Sequence, residues 1–161
     1  MRRTIPFIEP IDTGVFILQC PNDKEKKMTV ELQNQRVRVK PSYKHKEPAF
    51  DVYYQTDGSI VEAACPITLD DRNLIKSLNE QLETEMKKEL ESLIKKAQTE
   101  FQSDFLELGK VFMNKYPVEW KEIGPRWASI FPTVKVSIHI DGEIKDTVLL
   151  KEPTKSGGGV R

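Results

Sequence analysis

No run of apolar residues in this 161-residue chain approaches the roughly 20 that a membrane-crossing helix needs. Nor does Met1-Arg2-Arg3 lead into an apolar stretch; Thr4-Ile5-Pro6 follows, so no secretory signal is expected there. Histidine and cysteine are scarce, two of each, and no Cys or His spacing matches a zinc site. His45 falls in a charged loop and His139 on the wet side of a strand, so neither a metal nor a cofactor is expected. No nucleophile stands beside a base, which argues against an enzyme. Cys20 and Cys65 are too few for a disulfide framework, and each precedes a proline at the end of an extended run. Free, half-buried thiols are the expectation, with a bridge at one sheet edge as the alternative. Net charge is also missing: 25 Lys and Arg face 25 Asp and Glu. A dedicated nucleic-acid binder draws its affinity from excess positive charge, so that class is disfavoured.

The balance is uneven along the chain. Between Lys24 and Glu47, eight Lys or Arg stand against three Glu. Such a surplus suits an acidic partner or an anionic membrane surface, or else a solvated sheet face. Residues 1–13 hold two prolines and little periodicity, and read as a lead-in. Val15-Phe16-Ile17-Leu18 is an apolar run that predicts a buried strand. Met28, Val30 and Leu32 then alternate with polar residues, as do Val37 and Val39 with Arg36, Arg38 and Lys40. A period of two means one buried face and one wet, basic face. Pro41 is expected to interrupt this strand, and Lys44 to Glu47 to form a loop. Phe50, Val52 and Tyr54 alternate next, and Asp57-Gly58 predicts a hairpin turn returning through Ile60-Val61.

A long amphipathic helix follows Pro66. Thr68 is the expected N-cap, with Asp71 completing a box-like pair. Apolar positions run from Leu74 and Ile75 through Leu82 and Leu90 to Phe101, drifting in steps of four rather than holding a coiled-coil seam. Glu83 with Lys87 and Glu91 with Lys95 have the favourable i,i+4 orientation. About thirty residues give roughly 45 Å of helix, enough to span a domain of this size and lie across its sheet. Ser103 or Asp104 can cap a second helix, and Pro117 can start a third, short one. Phe105, Phe112, Tyr116, Trp120, Trp127 and Phe131 crowd fewer than thirty residues. Aromatics at helical spacing usually build core. After Pro132, Val134, Val136, Ile138 and Ile140 alternate with Lys135, Ser137 and His139 as a strand. Asp141-Gly142 is either a bulge or a second hairpin turn. Residues 151–161, with Ser156-Gly157-Gly158-Gly159, read as a flexible tail.

The order of these segments resembles the carboxy-terminal domain of the Ger(x)C family, the C subunit of bacterial spore germinant receptors. The likeness is carried by G-V-F-I-L-Q-C-P-N-D, by V-E-L-Q-N-Q-R-V-R-V-K-P, by P-A-F-D-V-Y-Y-Q-T-D-G-S-I-V-E and, most specifically, by K-Y-P-V-E-W-K-E-I followed by W-A-S-I-F-P. It covers about residues 14 to 145. Glu107 stands where the family has a small residue, so the bend before the second helix is expected to differ. The resemblance implies a non-enzymatic subunit of a lipoprotein, held by a lipid anchor on the outer face of the spore inner membrane. It works there beside the integral-membrane A and B subunits. Two further domains and a lipidated cysteine ahead of this one are implied by the family; Cys20 is not such a site.

The expected fold is α+β: a mainly antiparallel sheet of four or more strands, one long helix across a face, and shorter Trp-bearing helices packed at its end. Residues 14–150 form the domain. The candidate partner surface is the stripe of Arg36, Arg38 and Lys40. An alternative function, nutrient binding, places a pocket near Trp120 and Trp127. The stripe with Tyr43, Tyr53 and Tyr54 also has the look of a nucleic-acid face, which zero net charge opposes. Asp70 and Asp71 could form an acid–base pair, but capping accounts for both.

Overall fold

The computed structural model describes residues 14–147. Four strands form one sheet in chain order: β1 (Val15–Cys20), β2 (Asp23–Lys44), β3 (Glu47–Ala63) and β4 (Lys135–Thr147). The first two pairings are antiparallel and β3–β4 is parallel. A parallel neighbour needs a crossover, and the whole helical region provides it. That region comprises α1 (Arg72–Lys96), continued by one wider turn over Ala97–Phe101, then α2 (Leu108–Lys115), α3 (Pro117–Ile123) and α4 (Trp127–Ile130). The α+β expectation holds, with the last pairing parallel. The lead-in 1–13 and the tail 151–161 lie outside the described residues.

Strands β2 and β3 are longer than the sequence pattern suggests. A bulge between Gln33 and Arg36, with Asn34 at φ 49°, bends β2 without ending it. Pro41 does not interrupt: it sits opposite Phe50, and the strand runs on to Lys44. The turn is only His45-Lys46, both left-handed (φ 53° and 63°), the conformation of a two-residue hairpin.

Asp57-Gly58 is not a turn, and Asp141-Gly142 is neither bulge nor turn. Both lie inside strands, β3 and β4. Both glycines face α1, and Gly58 is pressed closest by a side chain of β2. A Cβ on Gly58 would come within 2.9 Å of Val30 and 3.4 Å of Leu82; one on Gly142 would meet Leu82 at 3.4 Å. Leu78, Leu82, Met86 and Leu90 form the buried stripe of the helix against this window. Polar residues on the flanks of α1 reach the two edge strands. Gln81 exchanges two hydrogen bonds with the Gln19 backbone on β1. Asn79 accepts from Ile144 N and Glu83 from Gly142 N on β4. Glu83 is therefore not Lys87's partner; the helix pairs are Lys76–Glu80, Lys87–Glu91 and Glu85–Lys88.

The helix N-cap is Asp71, whose carboxylate accepts from Asn73 N and Leu74 N; Thr68 lies outside. The cysteines are joined. Cys20 at the end of β1 and Cys65 after β3 form a disulfide, closing a separation of 45 residues. The expectation of free thiols fails because β1 and β3 flank the same end of β2: Cys20 opposes Asp23 while Met28 opposes Ala63.

Candidate functional site

Alternate residues of β2, β3 and β4 build an open outer face. Arg36, Arg38 and Lys40 stand opposite Gln55, Tyr53 and Asp51, which stand beside Asp141, His139 and Ser137. The stripe is as the alternation predicts, exposed and side by side along one strand. Its surroundings are specific. The Arg38 guanidinium lies 5.3 Å and the Lys40 ammonium 5.1 Å from the centre of the Tyr53 ring. His139 stacks on the same ring at 4.7 Å and 16°, and its Nε2 lies 2.8 Å from Asp51 Oδ1. Asp141 accepts from Gln55. Thus Asp51 and Asp141 are engaged by His139 and Gln55. Among the described residues, no carboxylate pairs with Arg36, Arg38 or Lys40. At the far end of β4, Glu143 accepts a hydrogen bond from Lys145 and raises the pKa of that ammonium. Of the three tyrosines near the stripe, only Tyr53 lies on this face. Tyr54 is buried and Tyr43 packs edge-on against Phe112.

The aromatic run is organised by a residue the sequence offered only as one of two caps. Asp104 accepts from Leu108 N at 2.9 Å, Gly109 N at 2.6 Å and Trp127 Nε1 at 2.8 Å. One carboxylate thereby starts α2 and pins the indole. Glu107, at φ 55°, takes the left-handed bend in between. Gly109 is required by the close approach: a Cβ there would lie 2.6 Å from Trp127 and 2.9 Å from Trp120. Phe112 is fully buried among Tyr43, Phe50, Tyr116, Trp120 and Trp127. Phe105 is the exception to the expected cluster. It is 44% exposed and meets Phe101 edge-on at the surface.

A cleft of about 550 Å³ opens at the β2–β3 turn. Lys44, Lys46, Lys135 and Arg126 line it with Glu47 and Glu122, and Ile123, Ile130 and Val134 add apolar wall. Trp120 and Trp127 do not line it; they pack against each other with centroids 5.4 Å apart and planes tilted by 56°. His45 borders the cleft and His139 lies on the open face, so the two histidines are not brought together. Asp70 is exposed beside the cap. Among the described residues, no group of three His, Cys, Asp or Glu gathers in metal-binding geometry. Among them, too, no helix is long and apolar enough to cross a membrane. Neither the Asp104 anchor nor the Tyr53–His139 stack has a local signal. Each joins residues 23 or more positions apart, through the helical packing or through the parallel register.

Three comparisons bear on this arrangement. The model of a family described as "Spore germination B3/ GerAC like, C-terminal" matches residues 6–148. Spore germination protein KC of Bacillus subtilis (strain 168) is 22% identical over 129 residues, covering 80% of this chain and 31% of that protein. Spore germination protein B3 of the same organism is 26% identical over 113 residues, covering 68% and 29%. The chain thus spans just under a third of the length of these relatives. The crystal structure of the GerBC protein aligns with a TM-score of 0.72 at 21% identity, covering 83% of this chain and 41% of that one. At that identity the likeness concerns the fold.

Proposed function

The chain belongs to the spore germination B3/GerAC-like C-terminal family, and from that premise we propose that it is a scaffold and interaction domain of a germinant-receptor lipoprotein, without catalysis of its own. It acts in nutrient-triggered germination beside integral-membrane A and B subunits. The observation that carries this reading is the row of Arg36, Arg38 and Lys40, held on a rigid sheet with the neighbouring carboxylates engaged elsewhere. Charges so placed are available to an acidic partner. The Cys20–Cys65 bridge agrees with a site outside the reducing cytosol, such as the outer face of the spore inner membrane.

The test is charge reversal. Arg36→Glu with Arg38→Glu is expected to weaken co-purification of the receptor subunits and co-sedimentation with anionic liposomes, more steeply at low salt. Unaltered association in both assays overturns the reading and leaves only protection of a sheet edge. A second reading, capture of a small nutrient, is supported by the cleft at the His45-Lys46 turn. A thermal-shift screen with amino acids and sugars tests it; a saturable rise in melting temperature, lost in Arg126→Ala, favours the cleft.

A further inference from the structure

Strand β2 is 22 residues long, but β1 pairs with it only from Asp23 to Glu31. Among the described residues, a single further bond reaches that side, from Leu32 N to Gly14 O. Beyond it, no strand among the described residues pairs with the β1 side of residues 33 to 44. The hydrogen-bonding direction of each residue there follows from the turn. With His45-Lys46 as a two-residue loop, Lys44 and Glu47 form a bonded pair, and bonded pairs recur at every second residue. Ser42, Lys40, Arg38 and Arg36 therefore spend their backbone groups on β3. Tyr43, Pro41, Val39 and Val37 aim theirs at the open edge. Pro41 and Pro48 both occupy positions where no N–H is needed by the β2–β3 ladder, as this pattern requires.

We infer that this edge accepts an added strand from a partner: an extended segment of about five residues alternating acidic and apolar. The inference rests on the partner-surface reading above and specifies its mode. The window is bounded by the Asn34 bulge below and by Pro41 above, which offers only its carbonyl. Within it, Val37 and Val39 present paired donors and acceptors to the incoming backbone. The side chains set the alternation. Acidic residues of the added strand fall beside Arg36, Arg38 and Lys40 on the outer face. Apolar ones fall beside Val37, which is only part-buried, and Val39 on the inner face. Bulge and proline make the edge short, which blunts indiscriminate pairing while leaving one register for a matched segment.

The probe is a capped peptide, Val-Glu-Val-Glu-Val-Glu, added to the 161-residue chain, with amide hydrogen exchange read at single residues. At ten times its Kd, exchange at Val37 and Val39 is expected to slow about tenfold, by mass action, while Arg38 and Lys40 stay as they were. A block-scrambled peptide, Val-Val-Val-Glu-Glu-Glu, and a peptide N-methylated at alternate amides are expected to give neither binding nor protection. Equal binding by the scrambled peptide makes the stripe a charge surface only and overturns strand addition. So does protection of Val37 and Val39 already present without peptide, or appearing with protein concentration through self-association. If Arg36→Glu with Arg38→Glu disrupts the receptor while the peptide leaves exchange unchanged, strand addition falls and the partner surface stands.

Discussion

The two faces of this sheet are built from the same strands, residue by residue in alternation, yet they do different work. Inward, Phe50, Val52, Tyr54, Gly58 and Ile60 meet α1 and the aromatic end, and nearly all are buried. Outward, Asp51, Tyr53 and Gln55 meet, among the described residues, side chains of the neighbouring strands. Stability is concentrated inside, where burial of apolar surface and close packing dominate. The outer face contributes little to folding because exposed charges are screened. It is the cheap place to carry recognition.

That contrast breaks most sharply at Phe112. Phe112→Ala is expected to cost about 4 kcal/mol and to lower the melting temperature by roughly 10 °C, measured by calorimetry. Trp120→Ala follows at about 8 °C, because its ring is only part-buried. A well-folded Trp120→Ala protein with unchanged melting but lost receptor function would move that residue from core to contact. Next comes the bridge. Cys20→Ser with Cys65→Ser releases a loop of 45 residues and is expected to cost about 3 kcal/mol; reduction of the native chain by thiol in a melting assay checks it. Asp104→Ala leaves two backbone N–H groups and an indole N–H without their acceptor, for about 2 kcal/mol and a red shift in tryptophan emission. Asp71→Ala removes a cap for about 1 kcal/mol. The smallest effect on folding belongs to the outer face. Arg36→Glu with Arg38→Glu is expected to change stability by less than about 0.5 kcal/mol in urea titration. A larger loss there would mean that the two faces are not separable.

Much of this was legible along the chain. Alternation marked Val37 and Val39 against Arg36, Arg38 and Lys40, and the steps of four marked Leu78, Leu82, Met86 and Leu90. What misled was local turn chemistry. Asp57-Gly58 and Asp141-Gly142 carry a turn signature, but both lie inside strands, with Gly58 pressed closest by Val30 of the neighbouring strand. Thr68 and Asp71 are both good caps, and it is the Asp71 carboxylate that accepts from Asn73 N and Leu74 N. Phe105 has the composition of core and the position of surface.

By itself, then, the sequence determined the two periodicities, the long helix, the exposed basic stripe and the family. These follow from side-chain direction within a single element, which nearest neighbours set. Only the tertiary structure decided the parallel β3–β4 register that stacks His139 on Tyr53, the Cys20–Cys65 bond, the reach of Asp104 to Trp127 and the extent of β2 that β1 leaves unpaired. Each of these joins or separates segments distant in the chain. Their physical cause is the placement of whole elements against one another, and no local pattern encodes it.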